Sequence, residues 1–305
     1  MIKRKLTLLL WTTFLSFLFI SMGSVQQTMH AHSLDNQQLC TSDIAYVFDL
    51  NGVLFDTNKT AVFRQLGIKD VLWYVATNGS AKLKETFFHT LDLVHGTQGN
   101  SFKVADPDGV QLPQLMVNWM NGSMSCNKIG SRVIKAINNH PEWFASATEQ
   151  RLMIRMTYSI FSPRQFIESR TLLPDLIPFI KALKKQGVPL YVLSNWDPES
   201  FALLKEKYSD LFELFDGCII SGNVGCIKPQ PEIFSYLKKN IPTCSICFLD
   251  DQQENLDAAQ AAGIYTIHVT RKKGYLSSGI DTSAVVKQGF TILNAHNRKS
   301  LVFAQ

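Results

Sequence analysis

The feature that most constrains the fold is a series of short apolar runs that end in polar residues and alternate with helical patterns. The apolar runs cover residues 44–48, 189–193, 218–220, 245–249 and 265–269. The helical patterns cover residues 174–186, 198–208, 231–239 and 253–262. Continuously apolar strands are typical of a parallel sheet that is covered by helices on both faces. The alternation therefore predicts an α/β fold with a doubly wound parallel sheet.

Polar side chains follow directly after three of these predicted strands. They are Asp49 after the first strand, Ser194 and Asn195 after the second, and Asp250 and Asp251 after the fourth. In doubly wound sheets, ligands bind beyond the carboxyl ends of the strands. We therefore expect these residues to contribute to one site.

One long segment interrupts the alternation, because well over 100 residues separate the first strand from the second. A connection of this length is too long for a simple crossover and must form a module of its own. It contains helical patterns at residues 81–94, 109–120, 131–138, 141–157 and 163–169. We predict a mostly helical cap domain at residues 58–172 and an α/β core made of residues 33–57 and 173–305.

Four short motifs occur in order at the predicted strand ends. They are the segment from Asp49 to Leu54, the segment from Leu193 to Asn195, Lys228 followed by Pro229, and Asp250-Asp251 followed by Asn255. Together they resemble the motifs of the haloacid dehalogenase superfamily, in which Asp-x-Asp-Gly-x-Leu follows a buried strand. The resemblance covers residues 44 to about 270 except the cap, and it implies a hydrolase with a Rossmann-like core.

The resemblance also implies a nucleophile and a metal cofactor. Asp49 would be the nucleophile, since a carboxylate can attack phosphorus and form an acyl phosphate. Mg²⁺, which prefers oxygen ligands, would be the cofactor. Its implied ligands are Asp49, Asp251 directly, Asp250 largely through water, and the backbone carbonyl of Asn51.

Three residues would act on the phosphate itself. Lys228 supplies a positive charge, and it is therefore a candidate for both substrate binding and catalysis. The Ser194 hydroxyl, nearby backbone N–H groups and Asn195 are candidates for binding the remaining phosphate oxygens.

Asn51 departs from the family pattern. Phosphatases of this family usually carry aspartate two residues after the nucleophile, where it protonates the leaving group and then activates water. An amide side chain can do neither, although it can still donate a hydrogen bond. Asn51 is therefore retained as a candidate catalytic residue with an altered role.

These residues favour a Mg²⁺-dependent phosphatase that acts on a small phosphorylated compound through an aspartyl-phosphate on Asp49. A metal-independent haloacid dehalogenase-like hydrolase would have little use for adjacent carboxylates at Asp250 and Asp251, whose repulsion calls for a cation. A catalytically impaired protein that binds ligands or acts as an effector is the other alternative, and Asn51 is compatible with it.

The amino terminus differs from the rest of the chain. Lys3, Arg4 and Lys5 precede an uncharged, mainly apolar stretch at residues 6–20. This is the layout of a secretory signal, although about 20 residues also suffice for a membrane anchor. We predict that residues 1–32 are a signal peptide or an anchor. The protein would then be exported to the periplasm, secreted, or held at the membrane by an uncleaved signal.

Charge and cysteine content exclude two other classes of protein. The formal net charge of +5 is spread along the chain with no basic run longer than three residues, which argues against nucleic acid as a partner. Six scattered cysteines do not form a disulfide scaffold. Cys244 and Cys247 resemble a redox or metal pair but lie in a predicted strand, where we expect them to serve packing.

Overall fold

The computed structural model describes residues 42–96, 104–106, 109–271 and 279–303. The predicted signal peptide or anchor at residues 1–32 lies outside these ranges. Among the helices within them, none has both the length and the apolar character that crossing a membrane requires.

The described strands are β1 (Ser42–Phe48), β2 (Phe55–Thr57), β3 (Arg170–Leu172), β4 (Leu190–Ser194), β5 (Gly217–Ile220), β6 (Thr243–Asp250) and β7 (Tyr265–His268). Five of them form a sheet in the order β5-β4-β1-β6-β7, in which all neighbours are parallel. Along the chain, β4 and β5 are added on one side of β1, and β6 and β7 are then added on its other side, as in doubly wound sheets. The predicted fold class is therefore confirmed.

Helices are arranged in two groups along the chain. Between β2 and β3 lie α1 (Lys59–Leu66), α2 (Ile68–Asn78), α3 (Ser80–His95), α4 (Gln114–Met120), α5 (Cys126–Asn139), α6 (Ala147–Phe161) and α7 (Pro163–Glu168). After β3 come α8 (Ile177–Lys185), α9 (Pro198–Lys207), α10 (Ser209–Phe212), α11 (Ser221–Val224), α12 (Pro231–Asn240), α13 (Gln253–Ala261) and α14 (Thr282–Phe303). Short 3₁₀ helices occur at Pro141–Trp143 and Pro174–Leu176.

The central strand β1 has a continuously apolar sequence because both of its faces are buried. Tyr46 and Phe48 belong to a hydrophobic cluster that includes side chains of α8 and α14. Ala45 and Val47 point to the opposite face and pack with side chains of α12 and α13. Because both faces of the strand are covered, neither set of alternating side chains reaches solvent. Cys247 is similarly buried in β6.

Helices α1 to α7, hereafter the helical module, have a hydrophobic core of their own. This core contains buried side chains such as Phe87, Ile129 and Leu152. The module joins the α/β core through β2 and β3, which pair in an antiparallel manner with Thr57 opposite Arg170. The chain therefore leaves and re-enters the α/β core at adjacent backbone positions.

Side-chain caps explain where two helices of the module begin. The predicted helices at 81–94, 109–120, 131–138, 141–157 and 163–169 correspond to α3, α4, α5, α6 and α7. α5 starts earlier than predicted because the Ser125 hydroxyl accepts a hydrogen bond from the Lys128 N–H. α6 starts later, after Ser146, whose hydroxyl accepts a hydrogen bond from the Glu149 N–H.

Besides the connection through β2 and β3, the helical module contacts the α/β core through a second set of hydrogen bonds. The Ser221 hydroxyl donates to the carbonyl oxygen of Met120 at 2.6 Å. The Cys126 thiol lies 3.1 Å from the Asp197 carboxylate, and its backbone N–H donates to Glu199 at 3.1 Å. These bonds hold α4 and α5 against the strand ends of β4 and β5.

Candidate active site

Asp49 occupies the centre of the sheet edge where the predicted site residues meet. It directly follows β1, whose neighbours β4 and β6 end in Ser194 and Asp250. The backbone N–H of Asp49 donates to the carbonyl oxygen of Leu249 at 2.9 Å. The residue is only 3% exposed. A buried carboxylate at this place can react only with a ligand that enters the site.

Lys228 provides the positive charge beside this carboxylate. Its Nζ lies 2.9 Å from Oδ1 of Asp49 and 2.6 Å from Oδ2 of Asp250. The lysine is 1% exposed, although it comes from the loop between α11 and α12. A buried ammonium group is stable only when it is paired, and two carboxylates supply that pairing here.

Asp250 is held in place by its own neighbours. The Asn255 Nδ2 lies 3.1 Å from both carboxylate oxygens, and the Gln252 N–H donates to Oδ1 at 2.8 Å. Together with Lys228, these donors engage both oxygens of Asp250. Asn255 therefore orients this carboxylate.

Asp251 differs from Asp250 in its surroundings. Its Oδ1 is buried without a hydrogen-bond partner. The carboxylate packs directly on Gly52, where a Cβ atom would lie 2.0 Å from Oδ2. Gly52 also has a φ of 88°, which favours glycine. Glycine at this position thus leaves room for the Asp251 carboxylate beside the turn that follows Asp49.

The charges of this cluster are not balanced within the protein. Burial raises the pKa of Asp49 to about 6, although the charge of Lys228 opposes this shift. Burial and the negative charges of Asp250 and Asp49 raise the pKa of Asp251 well above its ordinary value. Burial acts to lower the pKa of Lys228, but the two adjacent carboxylates raise it overall. The charged forms of Asp49 and Asp251 are therefore disfavoured and would be stabilised by an added cation.

The donor set fits a hard divalent cation such as Mg²⁺. Asp49, Asp250 and Asp251 each place one carboxylate oxygen within 4.8 Å of the others. Asn51 Oδ1 and Asp251 Oδ1 are buried polar atoms without hydrogen-bond partners. Carboxylate oxygens that converge as those of Asp49, Asp250 and Asp251 do are ligands that Mg²⁺ prefers.

Asn51 lies in the turn between β1 and β2. It pairs with Phe55 in an isolated bridge, and the Gly52 N–H donates to the carbonyl oxygen of Phe55 at 2.8 Å. This turn places the Asn51 side chain two residues beyond the nucleophile, with a buried amide oxygen. The side chain can therefore orient a polar ligand atom but cannot exchange a proton with it.

Ser194 and Asn195 differ in what they contact. The Ser194 hydroxyl interacts with the Asp49 carboxylate and partly opposes the rise in the pKa of Asp49. The Asn195 Nδ2 donates to the carbonyl oxygen of Lys228 at 2.8 Å, and the Lys228 N–H donates to Asn195 Oδ1 at 2.7 Å. Ser194 thus lies at the nucleophile, whereas Asn195 pairs with the loop that carries Lys228.

Two residues near the site were missed in the sequence. His268 Nε2 lies 3.1 Å from the carbonyl oxygen of Asp251. Arg271 Nη1 lies 3.4 Å from the carboxylate of Asp56. Both follow from the position of β7 beside β6. Both residues could have been identified from the sequence, since they lie at or just after the end of the strand predicted at residues 265–269.

We expect Asp251→Ala and Ser194→Ala to separate metal binding from phosphate binding. Asp251→Ala should raise the Mg²⁺ concentration for half-maximal activity by about 10- to 100-fold, since it removes a carboxylate oxygen from the cluster. Ser194→Ala should mainly raise KM. Titration of both variants with MgCl₂ measures the difference, and equal titration curves would show that the metal assignment is wrong.

Several known proteins are similar to this chain. Residues 45–263 match the family model of haloacid dehalogenase-like hydrolases. A sesquiterpene phosphatase of Aspergillus oryzae is 36% identical over 101 residues, which are 32% of this chain and 51% of that protein. An enolase-phosphatase of Methylococcus capsulatus is 33% identical over 119 residues, which are 36% of this chain and 52% of that protein. The chain therefore spans about half the length of these two curated relatives.

A partial likeness to a solved structure was also found. The HAD family enzyme of Bacteroides thetaiotaomicron aligns with a TM-score of 0.49 and 14% sequence identity. The alignment covers 75% of this chain and 95% of that chain.

Proposed function

The chain belongs to the haloacid dehalogenase-like hydrolases, and we propose that it is a Mg²⁺-dependent phosphatase of a small phosphorylated compound. The family membership confirms the resemblance of the four motifs. The observation that carries the phosphatase proposal is the position of Lys228 Nζ, 2.9 Å from the Asp49 carboxylate, beside a cluster of three carboxylates. Two relatives with phosphatase activity in their names support it.

In the proposed reaction, an oxygen of Asp49 attacks phosphorus, and the bond from phosphorus to the leaving-group oxygen breaks. This forms an aspartyl-phosphate. A water oxygen then attacks phosphorus, the bond to Asp49 breaks, and inorganic phosphate is released. Two steps of this kind replace one difficult displacement.

The other residues of the site have defined roles in this reaction. Lys228 and the Ser194 hydroxyl stabilise the negative charge on the phosphoryl oxygens. Bound Mg²⁺ would neutralise the charge that repels the anionic phosphate from Asp49, with Asp49, Asp250, Asp251 and the Asn51 backbone carbonyl as its proposed ligands. The Asn51 side chain can orient a water molecule but leaves the leaving group unprotonated.

A catalytically impaired binding protein remains the second candidate, and the observation that favours it is the amide at Asn51. A metal-independent dehalogenase is less well supported, because burial and the neighbouring negative charges of Asp250 and Asp49 raise the pKa of Asp251, and this cluster of carboxylates calls for a cation. We further propose that residues 1–32 direct export or anchoring. Detection of the full-length chain in a membrane fraction, or of the shortened chain outside the cytoplasm, would test this localisation.

An aryl phosphate assay distinguishes the three functions. With p-nitrophenyl phosphate, turnover should be lost when EDTA removes the metal and should return when excess MgCl₂ is added. A haloacid should not be hydrolysed under either condition. Absence of turnover with every phosphate ester tested would favour the binding protein, and hydrolysis of a haloacid in EDTA would favour the dehalogenase.

A further inference from the structure

The side chain of Asn195 pairs with the backbone of Lys228 through both ends of its amide. Nδ2 donates to the Lys228 carbonyl oxygen at 2.8 Å, and Oδ1 accepts from the Lys228 N–H at 2.7 Å. Two simultaneous bonds fix the plane of the amide relative to the loop backbone. The side chain is therefore aligned with the loop and not with the carboxylate of Asp49.

This pairing connects a rigid element with an irregular one. Asn195 directly follows β4, which pairs with both β1 and β5. Lys228 lies in a loop between α11 and α12, outside the strands of the sheet. Because the Asn195 amide bonds to that loop, the position of the sheet determines the position of the Lys228 backbone.

The other end of Lys228 is held by a different set of contacts. Nζ lies 2.6 Å from Asp250, and Asp250 is itself oriented by Asn255. A free lysine side chain is flexible and populates many rotamers, so it must be anchored to serve as a fixed charge. Asn195 anchors the backbone end of this side chain, and Asp250 anchors the ammonium end.

We propose that Asn195 is a positioning residue that holds Lys228 against Asp49 and does not bind the substrate phosphate. This inference rests on the proposed phosphatase function. The charge of Lys228 stabilises the transition state only while Nζ stays close to the phosphoryl oxygens. A displacement of about 1 Å in such a group can cost about 10²-fold in rate.

A double-mutant cycle tests this role. Asn195→Ala should lower kcat by about 10- to 100-fold with little change in KM, as is typical when a group that orients a functional residue is lost. In a Lys228→Met background, the same substitution should lower kcat by less than about twofold, because no ammonium group remains to be positioned. Asn118→Ala is the matched control, since the Asn118 amide also makes two side-chain contacts but lies in the helical module. It should leave kcat unchanged.

Two kinetic outcomes would overturn the proposal. An increase in KM and in the inhibition constant of inorganic phosphate with unchanged kcat would show that Asn195 contacts the substrate. An equal loss of kcat in both backgrounds would show that Asn195 acts independently of Lys228.

A structural measurement keeps the positioning role separate from the proposed function. Crystal structures of the wild type and of Asn195→Ala should show Lys228 Nζ withdrawn from the Asp49 carboxylate in the variant. An unchanged distance between these groups would overturn the proposal even if the wild type hydrolysed no phosphate ester. Inactivity of the wild type with a displaced Nζ in the variant would instead refute only the phosphatase assignment.

Discussion

Asp49→Asn should lower kcat by at least about 10²-fold, a loss of about 2.7 kcal/mol in transition-state stabilisation. The amide has nearly the same shape as the carboxylate but lacks the negative charge that makes the Asp49 oxygen a nucleophile. The measurement is steady-state hydrolysis of p-nitrophenyl phosphate at saturating MgCl₂.

The Asp49→Asn variant must also be shown to fold like the wild type. Asp49 is one of two carboxylates beside the buried Lys228, so the thermal unfolding midpoint must be measured together with kcat. If a folded Asp49→Asn variant retains more than about a hundredth of the wild-type kcat, the covalent mechanism is wrong.

Asn51→Asp should selectively raise kcat for alkyl phosphates. A basic alkoxide leaves slowly unless it is protonated, and general acid catalysis is typically worth about 10² to 10⁴ in rate. Burial beside other carboxylates would keep a carboxyl group at this position protonated at a higher pH than usual, which suits an acid. Phenolic and phosphoanhydride groups can leave unprotonated, so the variant should gain little on substrates that contain them.

A series of phosphate esters with leaving groups of different pKa measures this effect. The wild-type rate should fall steeply as the leaving-group pKa rises, and Asn51→Asp should flatten the dependence. Asn51→Gln keeps the amide and should give no such gain. If the wild type hydrolyses alkyl and aryl phosphates equally fast in its chemical step, another residue supplies the proton and this interpretation of Asn51 is wrong.

The sheet could be predicted because its signal is local. Strand β1 is apolar on both faces because helices cover both of them, so its continuous apolar run identifies it in the sequence. The polar residues at the strand ends could then be assigned to one edge from topology. Asp49 and Lys228 are far apart in the sequence, but they meet because one follows a strand and the other lies in a loop at the same edge.

Other parts could not be predicted because their signal is tertiary. β2 and β3 are three residues each, and they exist as strands only because they pair with each other across the whole helical module. Helix α14 packs on β1 through residues such as Val285 and Leu293, although no predicted strand follows it to continue the alternation. The orientation of Asn195 toward Lys228 depends on a loop whose path no local pattern specifies.

The antiparallel pairing of β2 with β3 has a consequence for how this protein and its relatives can diverge. Thr57 and Arg170 are register partners, so the chain between them leaves and re-enters the α/β core at one pair of neighbouring residues. An insertion, a deletion or a complete exchange of the intervening segment leaves the strand order and the spacing of Asp49 and Asp251 untouched. The intervening segment can therefore be exchanged by recombination, while the residues at the strand ends are inherited as a separate unit.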